Sequence, residues 1–81
     1  MRVLLADDEP LARERLAAAL AEFPDVELVG QARDGDEALD MIVRLEPDVA
    51  ILDIQMPGVS GIALAQWIGR QVRPPEVIFL T

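Results

Sequence analysis

Val49-Ala50-Ile51-Leu52-Asp53-Ile54-Gln55-Met56-Pro57-Gly58 decides the fold. Four apolar residues in a row, with no polar alternation, read as a strand covered on both faces. The run stops at an aspartate, and Met56-Pro57-Gly58 is turn material. Glu46-Pro47-Asp48, just before it, breaks a helix. That helix is predicted from Asp34-Gly35-Asp36-Glu37 to about Leu45, with Ala38, Leu39, Ile42 and Leu45 inward. Asp34 and Glu37, three apart, have the spacing of a capping box.

Further toward the N-terminus, Val26 to Ala32 reads as a strand. Leu11 to Glu22 is built from strong helix formers, with Leu16, Ala19, Leu20 and Phe23 as an apolar stripe and Pro24-Asp25 as its stop. Pro10 suits the first helical turn, where its missing N–H costs nothing. Arg2 to Ala6 reads as a buried strand. Toward the C-terminus, Ser60 is placed to cap a third helix carrying Ile62, Ala65 and Ile68 on one face. Arg73-Pro74-Pro75 stops it, and Val77-Ile78-Phe79-Leu80 is a fourth strand before Thr81.

The result is β-α-β-α-β-α-β. Such alternation with near-continuous apolar strands predicts an α/β, doubly wound parallel sheet with helices on both faces. In the flavodoxin-like class the strand order runs 2-1-3-4, and ligands bind beyond the C-terminal strand ends, between strands one and three. Asp7 and Asp8 follow strand one, and Asp53 ends strand three. All three carboxylates are therefore expected in that crevice.

Composition narrows the chemistry. The 81 residues are 52% apolar, enough for a core, and no run approaches a membrane span of about 20 residues. There is no cysteine and no histidine, and all seven basic residues are arginines. Schiff-base, P-loop-lysine, histidine-base and thiolate-metal chemistry are excluded from this chain. A formal charge of −8 argues against direct nucleic-acid binding. A cytoplasmic location fits the lack of cysteines.

Clustered carboxylates repel and raise one another's pKa. A hard dication relieves this, and Mg²⁺ takes oxygen ligands while keeping several waters. An aspartate can attack phosphorus to give an acyl phosphate, with a metal offsetting charge on the phosphoryl oxygens. The plainer alternative is that the acids after strand one, Asp8 or Glu9, only cap the next helix. That reading accounts for any one acid more easily than for the joint pattern.

Val3-Leu4-Leu5-Ala6-Asp7-Asp8-Glu9-Pro10-Leu11-Ala12-Arg13 resembles the opening of a two-component response-regulator receiver domain. Ile51 to Gly58 resembles its phosphoacceptor segment, Gly61 the small residue that follows, and Val77 to Thr81 the fourth strand with its switch residue. Glu9-Pro10-Leu11-Ala12-Arg13-Glu14-Arg15-Leu16 is similar to the LytTR/AlgR-type transcription regulators. The resemblance implies Asp53 as phosphoacceptor, and Mg²⁺ on Asp7, Asp8, Asp53 and the backbone carbonyl of Gln55. It implies Thr81 as a phosphoryl contact and switch. It also implies a signalling module rather than an enzyme, served by a histidine kinase or small phosphodonor and relaying to an output domain, DNA-binding and transcriptional, outside this chain. Met56 and Trp67 are read as packing residues.

Residues 1–81 are then expected to be the N-terminal portion of a single receiver domain. Receivers continue with a fourth helix, a fifth strand bearing a lysine, and a fifth helix; this sequence stops at Thr81 and holds no lysine. Mg²⁺ binding is expected to survive in it and phosphoryl transfer to be slow, since comparable electrostatic deletions cost about 2.7–4 kcal/mol. Strand four would be a sheet edge, so a homodimer through that side is expected. The alternative function is a non-signalling fragment that mainly self-associates. A phosphatase lacks its acid two residues after Asp53, and a Rossmann site lacks its glycine loop after strand one.

Overall fold

The computed structural model describes residues 1–80, and Thr81 lies outside the described residues. Seven elements follow in order: β1 (Arg2–Ala6), α1 (Pro10–Leu20), β2 (Glu27–Ala32), α2 (Gly35–Leu45), β3 (Val49–Asp53), α3 (Gly61–Ile68) and β4 (Glu76–Leu80). The four strands are all parallel in the order β2-β1-β3-β4, as the alternating pattern predicts.

The pleat sorts the apolar strand residues into two cores. Leu4, Ala6, Ala50 and Leu52 face α2 and α3, meeting Ala38, Ile42, Leu64 and Ile68. Val3, Leu5, Val49 and Ile51 face the other way, toward Leu16 and Leu20 of α1. Central β1 and β3 are thus apolar at every position between Val3 and Ala6 and between Val49 and Leu52 because both faces are covered. Met56 is buried in the first core and Trp67 packs at its margin, both as packing residues.

Helix starts follow local chemistry. Asp34 accepts from the Glu37 N–H at 2.8 Å, and Ser60 from the Ala63 N–H at 3.1 Å; such caps are worth about 1 kcal/mol each. The Asp34 box closes one residue early, because Glu37 reaches the N–H of Arg33 rather than that of the cap. α2 ends at Glu46, a left-handed residue with φ of 47°. Arg2 stabilises that end, its guanidinium donating to the carbonyls of Leu45 and Glu46, where a cation also suits the helix dipole.

Two expectations of helix phase are corrected. On α3 the buried face is Gly61, Leu64 and Ile68, and Ile62 is exposed. Gly61 is pressed against the β3 terminus, and this contact sets the rotation of the helix. On α1 no residue is fully buried, Ala19 is exposed, and so is Phe23. The helix stops at Leu20 and the chain turns, so Phe23 leaves the 3.6-residue period that carried Leu16 and Leu20 onto the sheet.

Candidate phosphoacceptor and metal site

Alternation brings the acids together. Val3, Leu5 and Asp7 share one parity, as do Val49, Ile51 and Asp53, and both sets point to the α1 side. β1 and β3 pair Leu5 with Ile51 and Ala6 with Leu52, so Asp7 and Asp53 come level at the strand ends. Asp8 is carried in by the following turn. One carboxylate oxygen from each of Asp7, Asp8 and Asp53 lies within 4.8 Å of the others.

The three differ in restraint. Asp7 is 7% exposed, the one buried charged residue among those described. Its N–H donates to the Ala32 carbonyl at 3.0 Å. Its Oδ1 accepts from the Glu9 N–H at 2.9 Å, and its carbonyl accepts from Arg13 Nη1 at 2.7 Å. Asp53 is half-buried and takes the Gln55 N–H on Oδ1 at 3.2 Å. Asp8 is exposed. Neither Asp8 nor Glu9 caps α1: Glu9 holds the cap position without a side-chain bond. The capping alternative therefore does not explain these acids.

No compensating cation is paired with them. The two ion pairs among the described residues, Arg33–Glu37 and Arg44–Asp40, both lie within or beside α2. Burial, the negative charge of Asp7, and the hydrogen bond and charge of Asp8 push the Asp53 carboxyl above the usual range, with the Gln55 N–H opposing. An all-oxygen donor set of three crowded carboxylates fits a hard dication such as Mg²⁺. It does not fit a soft metal that wants nitrogen or sulfur.

Gly61 sits under this site. A Cβ there would lie 2.2 Å from the Asp53 carbonyl oxygen and 2.9 Å from the Ile54 Cα. Gly61 also donates its N–H to the Ile54 carbonyl at 3.0 Å. A groove of about 710 Å³, lined by Ile42, Trp67 and Pro74 among others, opens at the opposite end of the strands.

The model of the response regulator receiver domain matches residues 3–81. The chain belongs to that family. This receiver is 43% identical over 81 residues to the transcriptional regulatory protein LiaR of Bacillus subtilis, covering all of this chain and 38% of that protein. It is 45% identical over 82 residues to the positive alginate biosynthesis regulatory protein of Pseudomonas aeruginosa, covering 33% of it. The chain thus spans about a third of the curated relatives it matches. The alginate regulator among these relatives gives the LytTR/AlgR-type resemblance loose support, at an identity close to that of LiaR. Among solved structures, the response regulator domain of Thermotoga maritima CheB superposes with a TM-score of 0.91 at 38% identity, over 98% of this chain and 58% of that one. The receiver domain of the Mycobacterium tuberculosis response regulator NarL gives 0.92 at 41%, over 96% and 63%.

The structure adds one contact and one residue to the site expected from sequence. The contact is the Gln55 N–H on Asp53, which is legible because an aspartate commonly accepts from the N–H two residues on. Arg13 was not legible, because nothing in a spacing of six residues says that a side chain turns back across a helix start.

Proposed function

We propose that this receiver takes a phosphoryl group on Asp53 as part of a two-component response regulator. The observation that carries the reading is the cluster of Asp7, Asp8 and Asp53 at adjoining strand ends, in no ion pair among the described residues. Residues 1–81 are the N-terminal portion of a single receiver domain, and the output domain, DNA-binding and transcriptional, lies elsewhere in the parent protein. The donor is the phosphohistidine of a kinase or a small acyl phosphate, and the setting is cytoplasmic. Among the described residues no helix is long and apolar enough to cross a membrane.

In the proposed step an Asp53 carboxylate oxygen attacks phosphorus, a P–O bond forms, and the bond from phosphorus to the donor's leaving group breaks. The Gln55 N–H holds one Asp53 oxygen and leaves the other free to attack. Asp7, Asp8 and Asp53, with the Gln55 backbone carbonyl, would hold Mg²⁺. When bound, the ion offsets charge on the phosphoryl oxygens. The Thr81 hydroxyl donates to a phosphoryl oxygen once Asp53 is modified. The protein is thus a phosphoacceptor whose surface changes for a partner, not an enzyme acting on a diffusing substrate.

A Mg²⁺ titration followed by amide NMR, then addition of acetyl phosphate, tests this. Shifts should cluster at Asp7, Asp8, Asp53 and Gln55, and mass spectrometry should then place one base- and hydroxylamine-labile phosphoryl group on Asp53. Transfer is expected to be slow, because no lysine is available to meet the developing charge. A dispersed spectrum with no Mg²⁺-dependent shifts would sink the reading.

A second reading is favoured by β4. This strand lies at the edge of the described sheet, with Ile78 52% and Phe79 38% exposed, and apolar edges recruit other chains. We propose that the 81-residue chain self-associates through that side as a homodimer. Light scattering at high concentration should give twice the monomer mass of 8.9 kDa, and Ile78→Lys should return it to monomer. A monomer mass at high concentration would remove the self-association reading.

A further inference from the structure

We propose that Arg13 is a positioning residue for the metal site, holding the Asp7–Asp8 peptide in the orientation that presents both carboxylates. The inference rests on the Mg²⁺ reading above. Arg13 lies at the start of α1, where the positive end of the helix dipole disfavours a cation. It makes no ion pair of its own among those described. It is nonetheless half-buried, with Nη1 turned back 2.7 Å from the Asp7 carbonyl.

The placement makes sense through Asp7. Three hydrogen bonds fix that residue: its N–H to Ala32, its Oδ1 from Glu9, and its carbonyl from Arg13. The first comes from the neighbouring strand and the second from the same tight turn. The Arg13 bond alone reaches the peptide plane between Asp7 and Asp8 from the helix. Without it that plane can rotate, and rotation moves the Asp8 carboxylate, which has no backbone restraint of its own among these bonds. A bond to a ligand's own backbone does for a carboxylate what an outer partner does for a metal-bound side chain, and loss of such partners typically weakens metal binding about 10–100-fold.

Charge alone predicts the opposite sign. Removing a cation makes the pocket more negative and should tighten Mg²⁺. The competition can therefore be decided by experiment. Arg15, two residues on, is exposed and carries the same charge beside the same face, but no hydrogen bond to the acid cluster. Arg13→Met keeps the apolar stem and removes the donor; Arg15→Met removes a charge only; Arg13→Lys restores a cationic donor.

Mg²⁺ dissociation constants are measured at fixed ionic strength by NMR titration of the 81-residue chain, with thermal melts and amide shifts of the metal-free proteins alongside. Expected is a rise of about ten-fold or more for Arg13→Met, equal or tighter binding for Arg15→Met, and recovery of most of the loss in Arg13→Lys. The metal-free amides of Asp8 and Glu9 should move in Arg13→Met and not in Arg15→Met. If Arg13→Met binds as tightly as wild type or tighter, the positioning role is wrong while the metal site stands. If Arg13→Met does not fold, Arg13→Gln decides in its place, and unchanged Asp8 shifts with unchanged affinity in that variant overturn the proposal. If wild type itself shows no Mg²⁺ response at Asp7, the functional reading and this inference fall together.

Discussion

Gly61→Ala is expected to destabilise the protein by about 3 kcal/mol and to abolish Mg²⁺ binding at the acid cluster. The added methyl would stand 2.2 Å from the Asp53 carbonyl oxygen and 2.9 Å from the Ile54 Cα, and both are backbone atoms. Backbone at the end of a central strand cannot swing aside as a long side chain can. Either α3 lifts off, exposing Leu64 and Ile68, or the Asp53 peptide shifts and carries its carboxylate away from Asp7. Both outcomes damage the site, and the first also opens the core. For a domain of this size the loss corresponds to a fall in Tm of roughly 12–24 °C. Gly69→Ala is the matched control. Its backbone is right-handed, with φ of −62°, and its Cβ would meet only ordinary contacts at 3.6 Å, so it should be neutral or stabilising by up to about 1 kcal/mol. Urea melts of the pair decide the matter, and equal midpoints would show that the close approach at Gly61 can relax.

Asp53→Asn should have two effects of opposite sign. Phosphoryl incorporation is lost, because an amide offers no carboxylate nucleophile, and Mg²⁺ affinity falls. The metal-free protein, however, should gain a little stability at neutral pH. Burial and the neighbouring Asp7 and Asp8 hold the folded-state pKa of Asp53 above its unfolded value. Between those two values the folded state binds more protons than the unfolded one, so stability falls as pH rises. The penalty is complete above the raised folded value and absent below the unfolded one, near pH 4. The variant's advantage should therefore vanish on acidification. Millimolar Mg²⁺ should reverse the order at neutral pH, because the ion stabilises only a protein that binds it. Thermal melts of both proteins, with and without Mg²⁺ at two pH values, make the check. A variant less stable than wild type without Mg²⁺ would mean that Asp53 contributes more through its bond to Gln55 than it costs through repulsion.

The residues whose burial is local in origin were the legible ones. Val3 to Ala6 and Val49 to Leu52 are apolar throughout because β1 and β3 lie at the centre of the sheet, and a central parallel strand has no face on which to place a polar residue. Asp34 and Ser60 announced their helices because capping needs only the next three residues. The acids at the strand ends were legible for a similar reason, since strand parity and a known strand order suffice to bring Asp7 and Asp53 level. What failed was helix phase. Ile62 and Phe23 fit apolar stripes on paper, yet both are exposed, because the rotation of α3 is set by Gly61 against β3 and the extent of α1 by the turn after Leu20.

By itself, then, the sequence determined the element order, the parallel sheet and the identity of the three carboxylates, because alternation, capping and turn chemistry act over a few residues. The tertiary structure alone decided how those carboxylates are held. That Arg13 turns back onto the Asp7 carbonyl, that Gly61 presses on the Asp53 backbone, and that Asp7 is buried while Asp8 is not are matters of approach between separate elements. Such approaches depend on how far a helix is rotated and how closely it sits on the sheet, which the packing of the whole core fixes and no short stretch of residues encodes.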